Sequence, residues 1–309
     1  MEKKQFKTID EQLKILQDKG LTITDIEQTK DILFRENYFF IHGYRLIFYR
    51  SLSDRKFIEG TTFDELHSLF LFDRNIRNIL FKNILIVENN IKSILSYQLS
   101  KKYGYKEKDY LKHKNFSQDP SKSRQVNDLL RKMKRQIRIN SKLHRATLHY
   151  LSNHGYIPLW VLVKVLSFGL VSEFYSILKP EDQFSITEFY NLDIENMNDY
   201  LALLANYRNL CAHEDILFEN KTQRQINDNN YHRMLNIPTT DGEYIYGKND
   251  IYAIVIILKH MLAREEFKYF IENIKVEINK LDEKVNSIPL TKIYDRMGFP
   301  INWDEIEKL

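Results

Sequence analysis

The chain has 309 residues, enough for one extended or two closely packed domains, and carries 46 Lys and Arg against 42 Asp and Glu. A net charge of +4 is too small by itself to indicate a nucleic-acid-binding protein, and the single cysteine excludes an internal disulfide and a cysteine-rich zinc site. Few Gly and Pro beside abundant Leu, Ile, Lys and Glu favour a mostly helical protein.

The N-terminal residues also restrict the cellular location. They begin Met-Glu-Lys-Lys-Gln-Phe-Lys and lack the apolar core of a signal peptide. No run of about 18 uncharged apolar residues exists, so no membrane span is expected. These observations predict a cytoplasmic protein with no membrane contact.

Two amphipathic segments open the chain. Apolar residues recur in steps of three and four over residues 11–18 and 23–35, with Gly20 as the predicted stop between them. An aromatic-rich segment follows at residues 37–49. We predict an N-terminal helical extension over residues 1–60, packed on a helical domain at 61–309.

A long helix is predicted next. Thr62 is a suitable N-cap for a helix that begins at Phe63, and residues 73–103 form the longest periodic segment, ended by Gly104. Its apolar stripe consists of Ile76, Leu80, Ile84, Val87, Ile91, Ile94 and Leu95. Glu88 lies among these residues, which favours a buried carboxylate paired with a basic group. Arg77 is about 16 Å back along the same helix, so any Arg partner must come from another element.

Residues 122–145 carry nine Lys and Arg and one Asp, with helical spacing of apolar residues. Such a helix is either a solvated surface or a contact for the RNA backbone, and the sequence leaves both interpretations open. The candidate RNA contacts are Arg131, Lys132, Lys134, Arg135 and Arg138.

Shorter helices are predicted in the second half. One spans 158–167 with Pro158 in its first turn, and Gly169 separates it from 170–178. Further helices are predicted at 194–213, 250–262 and 264–281, followed by a short tail. Residues 215–249 show weak periodicity and predict a long loop or small hairpin insertion. The fold class is therefore predicted to be all-α.

The most informative motif is Arg208-Asn-Leu-Cys-Ala-His213, the sole Arg-x4-His in the chain. Arg208 can neutralise a phosphate and His213 can move a proton near neutral pH, which suffices for cutting RNA without a metal. Asn209 lies four residues before His213 and shares its helix face, so it could orient the imidazole. The alternative is that Arg208 and His213 merely cap helix carbonyls. Cys211 is two residues from His213 and cannot form a nucleophilic dyad with it.

Arg208 and His213 are about 140° apart around an ideal helix, so a regular helix does not direct both at one phosphate. Either the helix unwinds near Ala212, or two protomers build one composite site. The chemistry would be attack of a ribose 2′-hydroxyl on the adjacent phosphorus, which leaves a 2′,3′-cyclic phosphate and a 5′-hydroxyl. DNA would survive, and unpaired RNA would be preferred. His42, His149 and His154 form no recognisable metal motif, and no cofactor is expected.

The motif resembles the RN-x-x-AH sequence of HEPN-domain ribonucleases, and the chain as a whole resembles bacterial abortive-infection proteins of the AbiD/AbiF type. The other segments that carry the resemblance are residues 37–44, 57–63, 72–88, 158–160 and 297–303. The family often has a basic residue three positions after the motif His, where this chain has Ile216, so a phosphate contact from that position is in doubt.

The resemblance implies a HEPN-like helical bundle and a homodimer in which two motifs meet. It favours a phage-defence or toxin-like endoribonuclease that cuts single-stranded or loop RNA. Two alternatives are a non-catalytic module that grips a small structured, antitoxin-like RNA, and a scaffold in which Arg208 and His213 only stabilise a dimer. RNA cleavage separates the first hypothesis from the others, and salt-dependent RNA affinity separates the second from the third.

Overall fold

A computed structural model describes residues 5–309 and is organised around one helix, α4 (Phe63–Tyr103), of 41 residues, or about 60 Å. Thr62 caps it by accepting the backbone N–H of Glu65, whose carboxylate accepts the N–H of Thr62 in return. Gly104, at φ 93°, ends it. The predicted start, stop and apolar stripe are confirmed, and the segments predicted from Phe63 and from residue 73 form one continuous helix.

The N-terminal extension consists of α1 (Ile9–Asp18), α2 (Ile26–Glu36) and α3 (Phe39–Tyr44). Gly20, at φ 88°, lies in the turn after α1, where the sequence predicted a stop. The extension joins the body through a parallel bridge between Thr22 and Thr62. The division of the chain near residue 60 remains a prediction.

Several helices of the second half pack against α4, foremost α14 (Arg264–Asp282), α11 (Ile194–Ala212) and α10 (Pro180–Thr187), with α9 (Phe168–Ser176) contacting it less. The apolar helix α13 (Ile251–Met261) lies among them, with every residue from Ile251 to Leu258 buried. Because α13 is apolar on all sides, it lies in the core and not at the surface.

The basic segment forms α6 (Ser123–Leu143), which packs against α7 (Arg145–His154). Two short helices adjoin this pair, α5 (Glu107–Tyr110) and α8 (Leu159–Leu162). α6 buries one face only, through Val126, Leu129, Leu130 and Met133. The spacing that predicted an amphipathic helix is therefore confirmed.

The predicted insertion contains a helical turn, α12 (Asn230–Met234), and a hairpin of β1 (Thr239–Thr240) and β2 (Glu243–Tyr244). Thr239 pairs with Tyr244 and Thr240 with Glu243 in antiparallel register. Asp241 and Gly242 both have positive φ, which is the geometry of a type I′ turn. The hairpin prediction is correct and α12 was not foreseen.

Helices account for 68% of the structure, so the all-α prediction is confirmed. Besides α12, four helices were not foreseen: α5, α7, α10 (Pro180–Thr187) and α15 (Leu290–Met297). Gly169 does not separate two helices, because it lies in the first turn of α9. The break falls instead at Ser167, whose hydroxyl caps α9 by accepting the N–H of Leu170. Short 3-10 turns occur at Arg45–Phe48, His113–Asn115, Pro120–Lys122, Val163–Val165, Glu188–Tyr190 and Trp303–Glu307.

Candidate functional site

The motif lies at the C-terminal end of α11. The helix ends at Ala212, and His213 is its C-cap, with φ −96°, ψ 4° and an N–H that donates to the Asn209 carbonyl at 3.0 Å. Glu214 follows in the left-handed region at φ 55°, and the N–H of Asp215 reaches back to the Leu210 carbonyl at 3.3 Å. This hydrogen-bond pattern closes the helix and leaves His213 outside its last regular turn.

The side chains of Asn209 and His213 are both exposed. Within residues 5–309 neither side chain has a hydrogen bond or ion pair, so the predicted contact between the Asn209 amide and the imidazole is not formed here. The orienting role of Asn209 remains a prediction. An exposed imidazole without a structural contact can meet a substrate and take up or release a proton.

Arg208 is directed toward α4. Its Nε lies 3.5 Å from Oε2 of Glu88, whose other oxygen accepts a hydrogen bond from Lys92 Nζ at 2.6 Å. The Arg208 guanidinium also lies over the Phe81 ring, 5.6 Å from its centroid. Glu88 is buried and paired, as predicted, but its hydrogen-bonded partner is Lys92 of the same helix, which was not foreseen; Arg208 of α11 is a second, longer ion pair.

The charges around Arg208 favour an anion. Glu88 and Lys92 are buried, whereas the Arg208 side chain is 30% exposed. Two cations share one carboxylate, which leaves an excess positive charge beside solvent. No hydrogen bond to the guanidinium of Arg208 is present in the described part of the chain. Nε is buried against Glu88, so a bidentate partner such as a phosphate would meet the two terminal nitrogens of the guanidinium.

A buried network supports the segment that follows the motif. Asp73 Oδ2 accepts hydrogen bonds from the Tyr44 hydroxyl at 2.7 Å, from Arg77 Nη1 at 2.5 Å and from the N–H of Leu217 at 3.1 Å. Arg77 Nη1 also donates to the Asp215 carbonyl at 3.1 Å. Burial raises the pKa of Asp73, and the Arg77 charge opposes that shift. Side chains of α3 and α4 thus fix the backbone two to four residues after His213.

Packing reinforces this attachment. Gly43 of α3 faces the Ile216 side chain so closely that a Cβ at residue 43 would overlap it. Tyr44 stacks on Phe218, with ring centroids 5.5 Å apart. Ile216 therefore packs on α3. This is the position at which the resemblance led us to expect a basic residue.

Sequence reasoning missed this network, although a signal was present. Asp73 and Arg77 are four residues apart and in phase with Ile76 and Leu80 on the apolar stripe of α4. Two opposite charges placed on a buried face indicate a buried pair. The segments that carry the family resemblance also meet in the fold. Those around Tyr44, Asp73 and the motif are adjacent in space.

The basic residues of α6 are all exposed, and they fall into two classes. Arg131 pairs with Asp128 and Lys132 with Glu173, each at 2.6 Å. The other three candidates form no ion pair within residues 5–309, namely Lys134, Arg135 and Arg138. These three are the stronger candidates for contact with an external anion.

The remaining chemistry of the region is restricted. Cys211 is buried, and burial raises the pKa of its thiol to about 12, which makes it a poor nucleophile. Within residues 5–309 no three His, Cys, Asp or Glu side chains cluster as metal ligands would. No helix of that range has the length and apolar character needed to cross a membrane.

Comparison with known proteins gave one match. A family model described as Abi-like protein matches residues 31–219, from α2 to the segment fixed by Asp73. A search of curated proteins found no match. A search of solved structures also found none. The matched range contains the motif, Glu88, Asp73 and Tyr44, so the site described above lies wholly within it.

Proposed function

The chain belongs to the Abi-like protein family, which suggests a role in abortive-infection defence against phage, and from that premise we propose that it is an endoribonuclease. One observation carries the proposal: Arg208 and His213 lie at the end of one helix, with a partly exposed guanidinium on the Arg and an exposed ring on the His. A charged fork for a phosphate and an imidazole that can transfer a proton are the minimum apparatus for cutting RNA.

In the proposed reaction, a ribose 2′-hydroxyl attacks the neighbouring phosphorus and the bond to the 5′-oxygen of the next nucleotide breaks. His213 moves a proton, either from the attacking hydroxyl or to the leaving oxygen. Arg208 stabilises negative charge on the non-bridging oxygens, and the Glu88–Lys92 pair holds its guanidinium against α4. The products are a 2′,3′-cyclic phosphate and a 5′-hydroxyl.

The direct test is incubation of purified protein with total RNA in EDTA, followed by mapping of the new ends. Cyclic phosphate and 5′-hydroxyl ends are expected, and a DNA of the same sequence should stay intact because it lacks the 2′-hydroxyl. Cleavage that stops in EDTA, or that also cuts DNA, would contradict the proposal.

We further propose that the active site is shared between two protomers, with α11 at or beside their interface. Arg208 contacts α4, whereas His213 lies exposed beyond the last turn, and no hydrogen bond or ion pair joins them in residues 5–309. A second copy of the motif would supply the missing partner for each side chain.

The composite site predicts complementation. Arg208→Ala and His213→Ala proteins should each be inactive, while an equimolar mixture after subunit exchange should regain about one quarter of wild-type cleavage, because half the dimers then hold one intact site. Light scattering should report a dimer. A monomer with full activity, or a mixture without any recovery, would rule out the shared site.

A second candidate function is a module that binds a small structured RNA without cutting it. The basic side chains of α6 that have no ion-pair partner in the described residues favour this alternative. Replacing Lys134, Arg135 and Arg138 by Gln should weaken RNA binding across sequences and reduce the slope of log affinity against log salt by about 2, since each single-strand phosphate contact contributes about 0.7. Because the buried face of α6 is unchanged, helicity should persist.

The matched control for this change is the pair Arg131→Gln and Lys132→Gln, whose charges already have partners within the fold. It should alter the salt slope less than the triple variant. Equal slopes for the wild type and the triple variant would show that α6 is an ordinary solvated surface and that RNA contacts lie elsewhere.

A further inference from the structure

A chain of aromatic rings crosses the surface where α5, α7 and α8 meet. Trp160 lies 5.8 Å from Tyr105 and Tyr105 lies 5.5 Å from Tyr156, measured between ring centroids. Tyr156 is 6.0 Å from His154, and His154 is 5.4 Å from Tyr150. We call these five residues the aromatic track.

The aromatic track is accessible to solvent. Tyr105 is 41% exposed and Trp160 43% exposed, and His154 is exposed as well. Lys106 lies over two of the rings, 4.9 Å from the centroid of Tyr156 and 5.9 Å from that of Tyr105. Tyr150 and Tyr156 are half-buried. Adjacent accessible rings beside a cation are typical of surfaces that bind single-stranded nucleic acid, because every base has a face that stacks on an aromatic ring.

Lys164 connects the aromatic track to α4, the helix that also holds Glu88. Trp160 and Lys164 are four residues apart on consecutive helical turns and so share a face. Lys164 Nζ donates to Asn89 Oδ1 on α4 at 2.7 Å, and Asn89 is the neighbour of Glu88, the carboxylate beside Arg208. About 21 Å of helix separates Asn89 from the end of α4, where the aromatic track begins.

The charge around the aromatic track is suited to a polyanion. Lys108 and Lys112 of the α5 region and Lys134 of α6 line one cleft beside it. Glu107 also lines that cleft and accepts the backbone N–H of Ile157, and Lys112 pairs with Asp109 at 3.2 Å, so the three lysines exceed the two carboxylates by one charge. Lys134 is also one of the three basic side chains of α6 without an ion pair in the described residues. The positively charged surface therefore extends from the rings along α6.

We propose that the aromatic track binds the unpaired bases of an RNA strand and guides that strand toward Arg208 and His213. The inference rests on the proposed ribonuclease function and adds the part of the substrate that the motif does not touch. Bases stack on Tyr105, Tyr156 and Trp160, while Lys106 and Lys164 contact the phosphates between them. Lysine is depleted at protein–protein interfaces, so the lysines beside these rings, Lys106, Lys108 and Lys134, favour a polyanion over a protein partner.

The test measures binding in the His213→Ala protein, which cannot consume the ligand. The probe is a labelled oligouridylate of about 12 nucleotides, a length within the range of single-strand binding sites. Tyr105→Ala and Trp160→Ala should each raise the dissociation constant about tenfold. Tyr105→Phe, which keeps the ring, should bind like the parent protein, and so should Phe6→Ala, which removes an exposed ring before α1.

Intrinsic fluorescence supplies a second readout. The chain has two tryptophans, and Trp303 is buried, so RNA should quench Trp160 selectively and the quenching should vanish in Trp160→Phe. Unchanged dissociation constants in Tyr105→Ala and Trp160→Ala would overturn the proposal. A change of oligomeric mass in these variants with unaltered RNA affinity would also overturn it, and would identify the surface as a protein contact.

The outcomes separate this inference from the proposed function. A wild-type protein that binds oligouridylate through the aromatic track and cuts no RNA would contradict the ribonuclease proposal. The same result would support RNA binding by the aromatic track. A protein that cuts RNA equally well with and without Tyr105 and Trp160 would support the ribonuclease proposal. It would contradict the RNA-binding role proposed for the aromatic track.

Discussion

Replacement of His213 by Ala is expected to lower the rate of RNA cleavage by about 10²–10⁴-fold, the usual contribution of one positioned proton-transfer group. The loss should be confined to chemistry, because the His213 side chain is exposed and makes no structural contact in the described chain. Initial cleavage rates on a labelled RNA, measured beside the thermal unfolding midpoint, will check both halves of this prediction. Growth arrest on expression should disappear in parallel.

The matched control is His113→Ala, since His113 is also exposed but lies in a short 3-10 turn before α6. It should cleave at the wild-type rate. Arg208→Lys should lose most activity, because a single ammonium cannot reproduce the planar fork of a guanidinium on a phosphate. Undiminished cleavage by His213→Ala would refute the assigned role.

Replacement of Arg77 by Ala is expected to lower the free energy of unfolding by about 3–5 kcal/mol, the cost of leaving a buried charge without its partner. Asp73 would keep its Tyr44 and Leu217 hydrogen bonds but lose its only counter-ion in the described chain. The Asp215 carbonyl would lose its donor at the same time. Urea unfolding monitored by circular dichroism gives the free energy.

The comparison variant is Arg74→Ala on the same helix, one turn earlier. Arg74 forms a two-pronged pair with Glu36, and both side chains are more than a quarter exposed, so its loss should cost about 1 kcal/mol or less. Arg77→Ala should also reduce cleavage at temperatures where it remains folded, because Asp215 lies two residues after His213. Equal stability losses for the two variants would contradict the role assigned to the buried network.

Much of the secondary structure could be predicted because its causes are local. The stripe of α4, its Thr62 cap and its Gly104 stop all depend on residues within one or two helical turns. The turn at Asp241 and Gly242 was likewise visible as an Asp-Gly pair. Helices α10 and α15 were missed although local signals were present, because Pro180 occupies the first position of α10 and Gly298 ends α15 in the left-handed region. The break predicted at Gly169 was wrong because the cap is Ser167.

The sequence by itself determined the all-α class and the position of Arg208 and His213 at one helix end, because spacing along a helix sets angles around it. Which groups those side chains meet was decided by the tertiary structure. Asp73 reaches the N–H of Leu217 across 144 residues of chain, and Glu88 meets Arg208 only because α4 packs on α11. Such contacts depend on how distant helices pack together, and neither periodicity nor spacing within one helix records that arrangement.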